Sequence, residues 1–171
     1  MKLKKAIEFA TKAHEGQTRK YTGEPYIVHP LEVSDIVSTV EHTEEMLMAA
    51  VLHDTVEDTD TTIEDIDREF GPVVAQLVDE LTDVSKPEDG NRATRKGIDR
   101  DHSAQASAQG QTIKVADLIS NTSSITEHDP DFAKVYMKEK ALLLQVLDLA
   151  DKNLLKKAQK MLDNWSVRVH N

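Results

Sequence analysis

Cysteine is absent from the 171 residues, which excludes a disulfide framework and a thiolate metal site and suits a reducing compartment. Aromatic residues make up only 4% of the chain, and there are just six glycines and five prolines. A core must therefore come from Leu, Ile, Val, Ala and Met, and the scarcity of chain-breaking residues favours long helices over many turns. An excess of positive charge is missing too: 21 Lys and Arg stand against 31 Asp and Glu, a formal net charge of −10. Such a balance repels a nucleic-acid polymer. It still allows a small nucleotide, because a bound cation and a few basic side chains reverse the field locally. No segment approaches the roughly 20 apolar residues that span a bilayer, so no membrane partner is expected. Met1-Lys2-Leu3-Lys4-Lys5 is basic, but Glu8 and Lys12 interrupt the run behind it, so it does not read as a signal peptide. The expected location is the cytoplasm.

What is present is enough to fold. Hydrophobic residues reach 39%, which places the chain among globular proteins, and its length fits one domain. Leu3, Ala6, Ile7, Ala10, Ala13 and His14 form one helical stripe, ended by Gly16. Thr22-Gly23-Glu24-Pro25 reads as a turn. Tyr26 to His29 reads as extended, because a residue before proline is pushed out of the helical region, and Pro30 suits a helix start. Helices are expected at about 31–40, 44–58 and 62–69, then along the stripe Val73, Val74, Leu77, Val78, Leu81. A loop is expected over 85–90, a partly ordered or exposed helix over 91–107, and a buried helix near 111–125. Two more follow at 131–149 and 151–165, the last with Leu154, Leu155, Ala158, Met161, Leu162 and Trp165 in register. No repeat, interdomain linker or period-two alternation is visible, so the expected fold is all-α, a single compact multi-helix domain over 1–171.

The densest chemistry lies in His53-Asp54-Thr55-Val56-Glu57-Asp58-Thr59, directly behind the apolar run Met46 to Leu52. On a continuous helix His53 and Glu57 lie one turn apart, as do Asp54 and Asp58. Three carboxylates packed against an apolar run repel one another, and a divalent cation removes the conflict. His29, and Asp117 inside the apolar stretch Ile113 to Ile119, supply further donors. A lone buried carboxylate is costly and needs a partner, which for Asp117 is either a metal or Lys114. Two imidazoles with two carboxylates suit manganese, iron or zinc better than calcium.

The order His29, His53-Asp54, Asp117 resembles that of the HD phosphohydrolase superfamily. Longer strings carry a narrower resemblance: His14-Glu15-Gly16-Gln17-Thr18-Arg19-Lys20, Gly23-Glu24-Pro25-Tyr26-Ile27-Val28-His29-Pro30, His53 to Thr59, and Lys114-Val115-Ala116-Asp117. Together, over roughly 3–150, they look like the hydrolase domain of RelA/SpoT homologues, and with no synthetase or regulatory region in the chain, like a small alarmone hydrolase of the Mesh1-like kind. The resemblance implies an HD-type fold with a motif-bearing core of about 3–150 and a C-terminal helix of about 151–165. It implies His29, His53, Asp54 and Asp117 as ligands of Mn2+, and Glu57 and Asp58 as the catalytic pair that orients and deprotonates water. It also implies Arg19, Lys20, Thr22, Asn121 and Ser124 as substrate-binding residues for a small nucleotide. The implied reaction removes the 3′-pyrophosphate of a guanosine or adenosine alarmone such as (p)ppGpp. An NADPH 2′-phosphatase would use the same site, and a non-catalytic nucleotide-binding or antitoxin-like module is the reading from another class.

The chain departs from the family pattern beyond Asp117, where Leu118-Ile119-Ser120 replaces commoner basic and aromatic or imidazole residues, and at Ser123, where a basic residue is common. Base preference and phosphate grip are thus open. His14, on the apolar stripe, reads as structural. Arg92, Arg95, Lys96 and Arg100 form a basic cluster that suits either a solvated helix face or distal phosphates, and Asp83 and Lys86 sit in a loop that could border the pocket. The sequence sets no oligomeric state.

Overall fold

A computed structural model of the protein describes residues 2–170; Met1 and Asn171, the two ends of the expected domain, lie outside the described residues. The fold is all-α. In chain order the helices are α1 Lys2–Ala13, α2 Val28–Ser38, α3 Glu44–Leu52, α4 Thr55–Asp58, α5 Ile63–Phe70, α6 Pro72–Leu81, α7 Arg92–Ala104, α8 Ala108–His128, α9 Pro130–Leu144 and α10 Lys152–His170. A short 3₁₀ turn, Pro87–Asp89, punctuates the loop before α7. Extended pairing among the described residues is limited to an isolated antiparallel bridge between Thr18 and Pro25. The chain divides into two compact units, Met1–Asp83 and Val84–Asn171.

The first unit is built around α3. Its sequence, EEMLMAAVL, is apolar on every side after the first turn, and a helix of that kind is stable only when surrounded. It packs against α1, α2 and α6, with Ala6, Ala10, Val33, Val37, Met48, Ala49, Val51, Leu52, Val74 and Val78 closed to solvent. Thr43 caps its start by accepting from Met46 N–H. Thr62 and Asp65 form a reciprocal capping box at α5. Gly71, at φ 92°, ends α5 and Pro72 opens α6. Gly71 holds the left-handed backbone there that a side chain would strain.

Two local expectations are corrected. His29 is not extended: α2 begins at Val28, so His29 lies in its first turn with Pro30 behind it. The first N–H groups of a helix have no intrahelical partner, so a proline among them forfeits no bond, and this outweighs the pre-proline preference. Residues 44–58 are not one helix either, because α3 stops at Leu52 and α4 starts at Thr55. Side chains at this break capture α3's last carbonyls: His53 Nδ1 lies 2.6 Å from Ala50 O, and Thr55 Oγ1, at the start of α4, donates to Leu52 O at 2.8 Å.

In the second unit α8 packs against α9 and α10 around Ile113, Val115, Ala116, Met137, Leu147 and Ala158. Residues 92–104 form a regular helix; Asn91 caps it through Thr94 N–H. Asp99 secures the loop before it by accepting from Val84 N–H, Ser85 N–H and Ser85 Oγ–H. Gln111, fully buried, donates to Ala104 O and Ala106 O and accepts from Leu149 N–H. Lys140 of α9 is also fully buried, its Nζ donating to Thr122 Oγ1 at 2.9 Å.

Candidate functional site

The turn between α3 and α4 and the first turn of α2 bring three of the expected ligands together in the first unit. His29, His53 and Asp54 each offer one donor atom, and these lie within 4.8 Å of one another. Asp54 Oδ2 is 3.1 Å from His53 Nε2 and 3.8 Å from His29 Nε2. The two imidazoles are each 3% exposed, with ring centres 5.5 Å apart.

The donor set fits a divalent metal. His53 Nδ1 faces the Ala50 carbonyl, so it carries the proton and leaves the Nε2 lone pair directed toward Asp54. That arrangement, with one ring nitrogen held by backbone and the other presented, is the usual state of a metal-binding histidine. Ligands about 2.0–2.2 Å from a metal lie roughly 3–3.5 Å apart; the His53–Asp54 distance of 3.1 Å is of that size, and the 3.8 Å between Asp54 and His29 is slightly longer.

Glu57 and Asp58 close α4, one turn beyond His53 and Asp54. Glu57 Oε1 accepts from the N–H of the loop residue Asp83. Both acids belong to exposed residues. The Asp58 carboxyl is nonetheless held above the usual carboxylate range, first by partial burial of the group and then by the negative charge of Asp54, with His14 and His53 acting the other way.

Arg19, Lys20 and Thr22 lie in the loop between α1 and α2. Arg19 Nη1 is 3.8 Å from Glu32 Oε2, Lys20 Nζ stands 5.4 Å from the Tyr21 ring centre, and Thr22 Oγ1 accepts from Glu24 N–H. Asp117, Asn121 and Ser124 belong to α8, in the second unit. There Asn121 Nδ2 donates to Asp117 Oδ1 at 3.2 Å, and Lys114 Nζ is 4.0 Å from Asp117 Oδ2. Of the basic cluster, Arg92 is engaged with Glu139 through two bonds of 2.8 and 3.0 Å and lies over Phe132.

Reading the sequence assigned no role to Tyr26 or Gln17, yet both touch the site. Tyr26 Oη donates to Asp54 Oδ2, and Gln17 Nε2 donates to Asp58 O. The only signal available was their presence inside the family strings. A buried group in the second unit was also missed: the Thr122 and Tyr136 hydroxyls donate to Leu118 O, and Lys140 Nζ donates to Thr122 Oγ1. Lys140 falls on the helical stripe of Ala133 and Met137, but a long cationic side chain at such a place ordinarily carries its charge out to solvent.

Comparison with known proteins is consistent with this geometry. The HD domain family model matches residues 6–118. The chain is 37% identical over 132 residues to a Drosophila melanogaster protein named guanosine-3′,5′-bis(diphosphate) 3′-pyrophosphohydrolase MESH1, covering 75% of this chain and 72% of that protein. The Danio rerio protein of the same name is 38% identical over 133 residues, with the same coverage. A guanosine-3′,5′-bis(diphosphate) 3′-pyrophosphohydrolase of Aquifex aeolicus is 49% identical over 84 residues, but the chain spans only 12% of its length. A solved structure described as a metazoan ortholog of SpoT that hydrolyses ppGpp superposes with a TM-score of 0.86 at 30% identity, covering 95% of this chain and 94% of that one. No helix among the described residues is long and apolar enough to cross a membrane. The chain belongs to the HD domain family, among the RelA/SpoT homologues that include the Mesh1 proteins.

Proposed function

We propose that this chain is a manganese-dependent 3′-pyrophosphohydrolase of a guanosine or adenosine alarmone such as (p)ppGpp, acting as one HD domain over residues 1–171 in the cytoplasm. The observation that carries the reading is the gathering of His29, His53 and Asp54 donor atoms within 4.8 Å, one turn before Glu57 and Asp58. Support comes from the activity for which the Mesh1 relatives are named. In this reading Asp117 is the fourth ligand.

A bound Mn2+ would supply Lewis acidity toward phosphorus and toward water. The protein's own residues do the rest. Glu57 and Asp58 orient a water toward the phosphorus attached to O3′ and take its proton. Asp58, its pKa raised by partial burial and by the Asp54 charge, holds a proton more readily than an exposed aspartate and so suits this exchange. The new bond joins the water oxygen to phosphorus. The P–O3′ bond breaks, O3′ leaves as the ribose hydroxyl after protonation, and pyrophosphate is released. Arg19, Lys20 and Thr22 hold base and phosphate, and Asn121 and Ser124 hold the sugar and phosphate end. Arginine suits both tasks, since its planar guanidinium stacks on a base and pairs with phosphate.

The test is a Mn2+-supplemented release assay on ppGpp, ppApp and NADPH. Pyrophosphate from ppGpp or ppApp is the expected product. Orthophosphate from NADPH alone would replace the proposal with a 2′-phosphatase, and metal binding without any turnover would leave a binding module.

A further inference from the structure

We propose that Tyr26 is a positioning residue for the Asp54 carboxylate, and that Gln17 and His14 tie the same ring to the turn carrying Glu57 and Asp58. The inference rests on the metal-site reading above. The Tyr26 hydroxyl donates to Asp54 Oδ2, the same oxygen that faces His53 Nε2 at 3.1 Å and His29 Nε2 at 3.8 Å. A carboxylate oxygen has two acceptor sites, so one can be held by the phenol while the other stays turned toward the imidazoles. The last torsion of an aspartate is soft, and a carboxylate held only by its cation can swing. A phenol that donates without ionising fixes the torsion and leaves the carboxylate charged.

Tyr26 is itself clamped. Its N–H donates to Gln17 O at 2.9 Å. Its ring centre lies 4.7 Å from that of His14, tilted by 47°, and 6.0 Å from that of His29, edge to face. Gln17 carries the hold further, because its Nε2 donates to Asp58 O at 2.9 Å. The glutamine oxygen is therefore the atom facing His14 Nδ1 at 2.9 Å, which puts the imidazole proton on Nδ1. His14 Nε2 is then a buried acceptor with no partner. An unsatisfied buried nitrogen costs free energy, so an apolar ring would pack there more cheaply. What the imidazole adds is the Nδ1 bond that aims Gln17 at Asp58. The strings containing His14, Gln17 and Tyr26 thus form one support reaching a metal ligand at one end and a catalytic acid at the other.

Calorimetric titration of Mn2+ into chelator-stripped wild type, Tyr26→Phe and Gln17→Ala tests this, alongside steady-state kinetics at saturating Mn2+ and circular-dichroism melting. Tyr26→Phe is expected to weaken Mn2+ binding by about 10–100-fold, the usual effect of removing a partner from a ligating group, with the nucleotide KM within about twofold of wild type. Gln17→Ala is expected to leave Mn2+ affinity within about twofold and to lower kcat by about tenfold or more, through a displaced Asp58. Unchanged Mn2+ affinity in Tyr26→Phe overturns the proposal. So do equal losses in both variants that track lowered melting temperatures, or an unfolded Tyr26→Phe, since either would mark general structural support. Wild type that binds no Mn2+ refutes the metal-site reading and this inference with it. Wild type that binds Mn2+ but turns over no nucleotide refutes only the proposed activity, and the affinity comparison still decides the role of Tyr26.

Discussion

Lys140 gives the sharpest physical prediction. Its side chain is fully buried, with Thr122 Oγ1 as its hydrogen-bond acceptor. Burial disfavours the ammonium and lowers its pKa to about 8, against an ordinary value of about 10.4. At pH 7 the group is charged in both folded and unfolded chains, so the native state bears the full cost of burying it. The pKa difference corresponds to about 3 kcal/mol. As pH rises past 8 the native lysine loses its proton while the unfolded one keeps it up to about 10.4. The unfolded chain then binds more protons, and stability increases with pH across that window. By pH 9.5 the gain is about 2 kcal/mol. Tyr136 opposes the trend above about pH 10, because burial raises its pKa above the ordinary value and the unfolded phenol ionises first. Lys140→Met removes the titration and keeps an unbranched stem. At pH 7 the variant should be as stable as wild type or more so, since replacing a buried charge with an apolar side chain of similar shape is commonly neutral or stabilising. Thr122 still donates to Leu118 O, so the Tyr136 hydroxyl, 3.4 Å from Thr122 Oγ1, can turn its one proton from Leu118 O to that oxygen. The assay is urea unfolding followed by circular dichroism for both proteins at pH 7 and pH 9.5. Wild type should gain on the variant by about 2 kcal/mol between the two conditions. A difference that does not change with pH would refute the reasoning, showing that the folded lysine keeps an ordinary pKa.

Other predictions concern the site. His53→Ala and Asp54→Ala should each lose bound metal and activity together; full metal occupancy by mass spectrometry in both would disprove the coordination. Glu57→Gln should keep its metal and lose about a hundredfold or more in turnover, because the amide preserves shape without accepting a proton; near-wild-type turnover with metal bound would remove Glu57 from the catalytic pair. Arg19→Ala should raise the Michaelis constant for an alarmone without altering metal content, and should matter less for a nitrophenyl phosphate ester that has no base. Equal losses on both substrates would end its role in base recognition.

Much of this protein is legible in one dimension. The near absence of aromatics, glycine and proline, with stripes such as Val74, Leu77, Val78 and Leu81, leaves helices as the only regular way to bury the apolar residues. The His53-Asp54 part of the candidate site was readable because histidine and aspartate directly behind an apolar run cannot both be buried and stay uncompensated. Tertiary structure decided what local preference could not. Pro30 biases His29 toward extended backbone, but a proline costs nothing among the unpaired N–H groups of a helix start, so His29 entered α2. Residues 44–58 have the pattern of one helix, yet His53 and Thr55 take α3's last carbonyls and open a turn at His53 and Asp54. Tyr26 and Gln17 are 28 and 41 residues from the groups they hold, and Lys140 is 18 from Thr122. Separations of that length carry no periodic signal: a hydrogen bond between distant residues depends on how helices pack, and packing is settled by the summed burial of many side chains, not by the identity of any one.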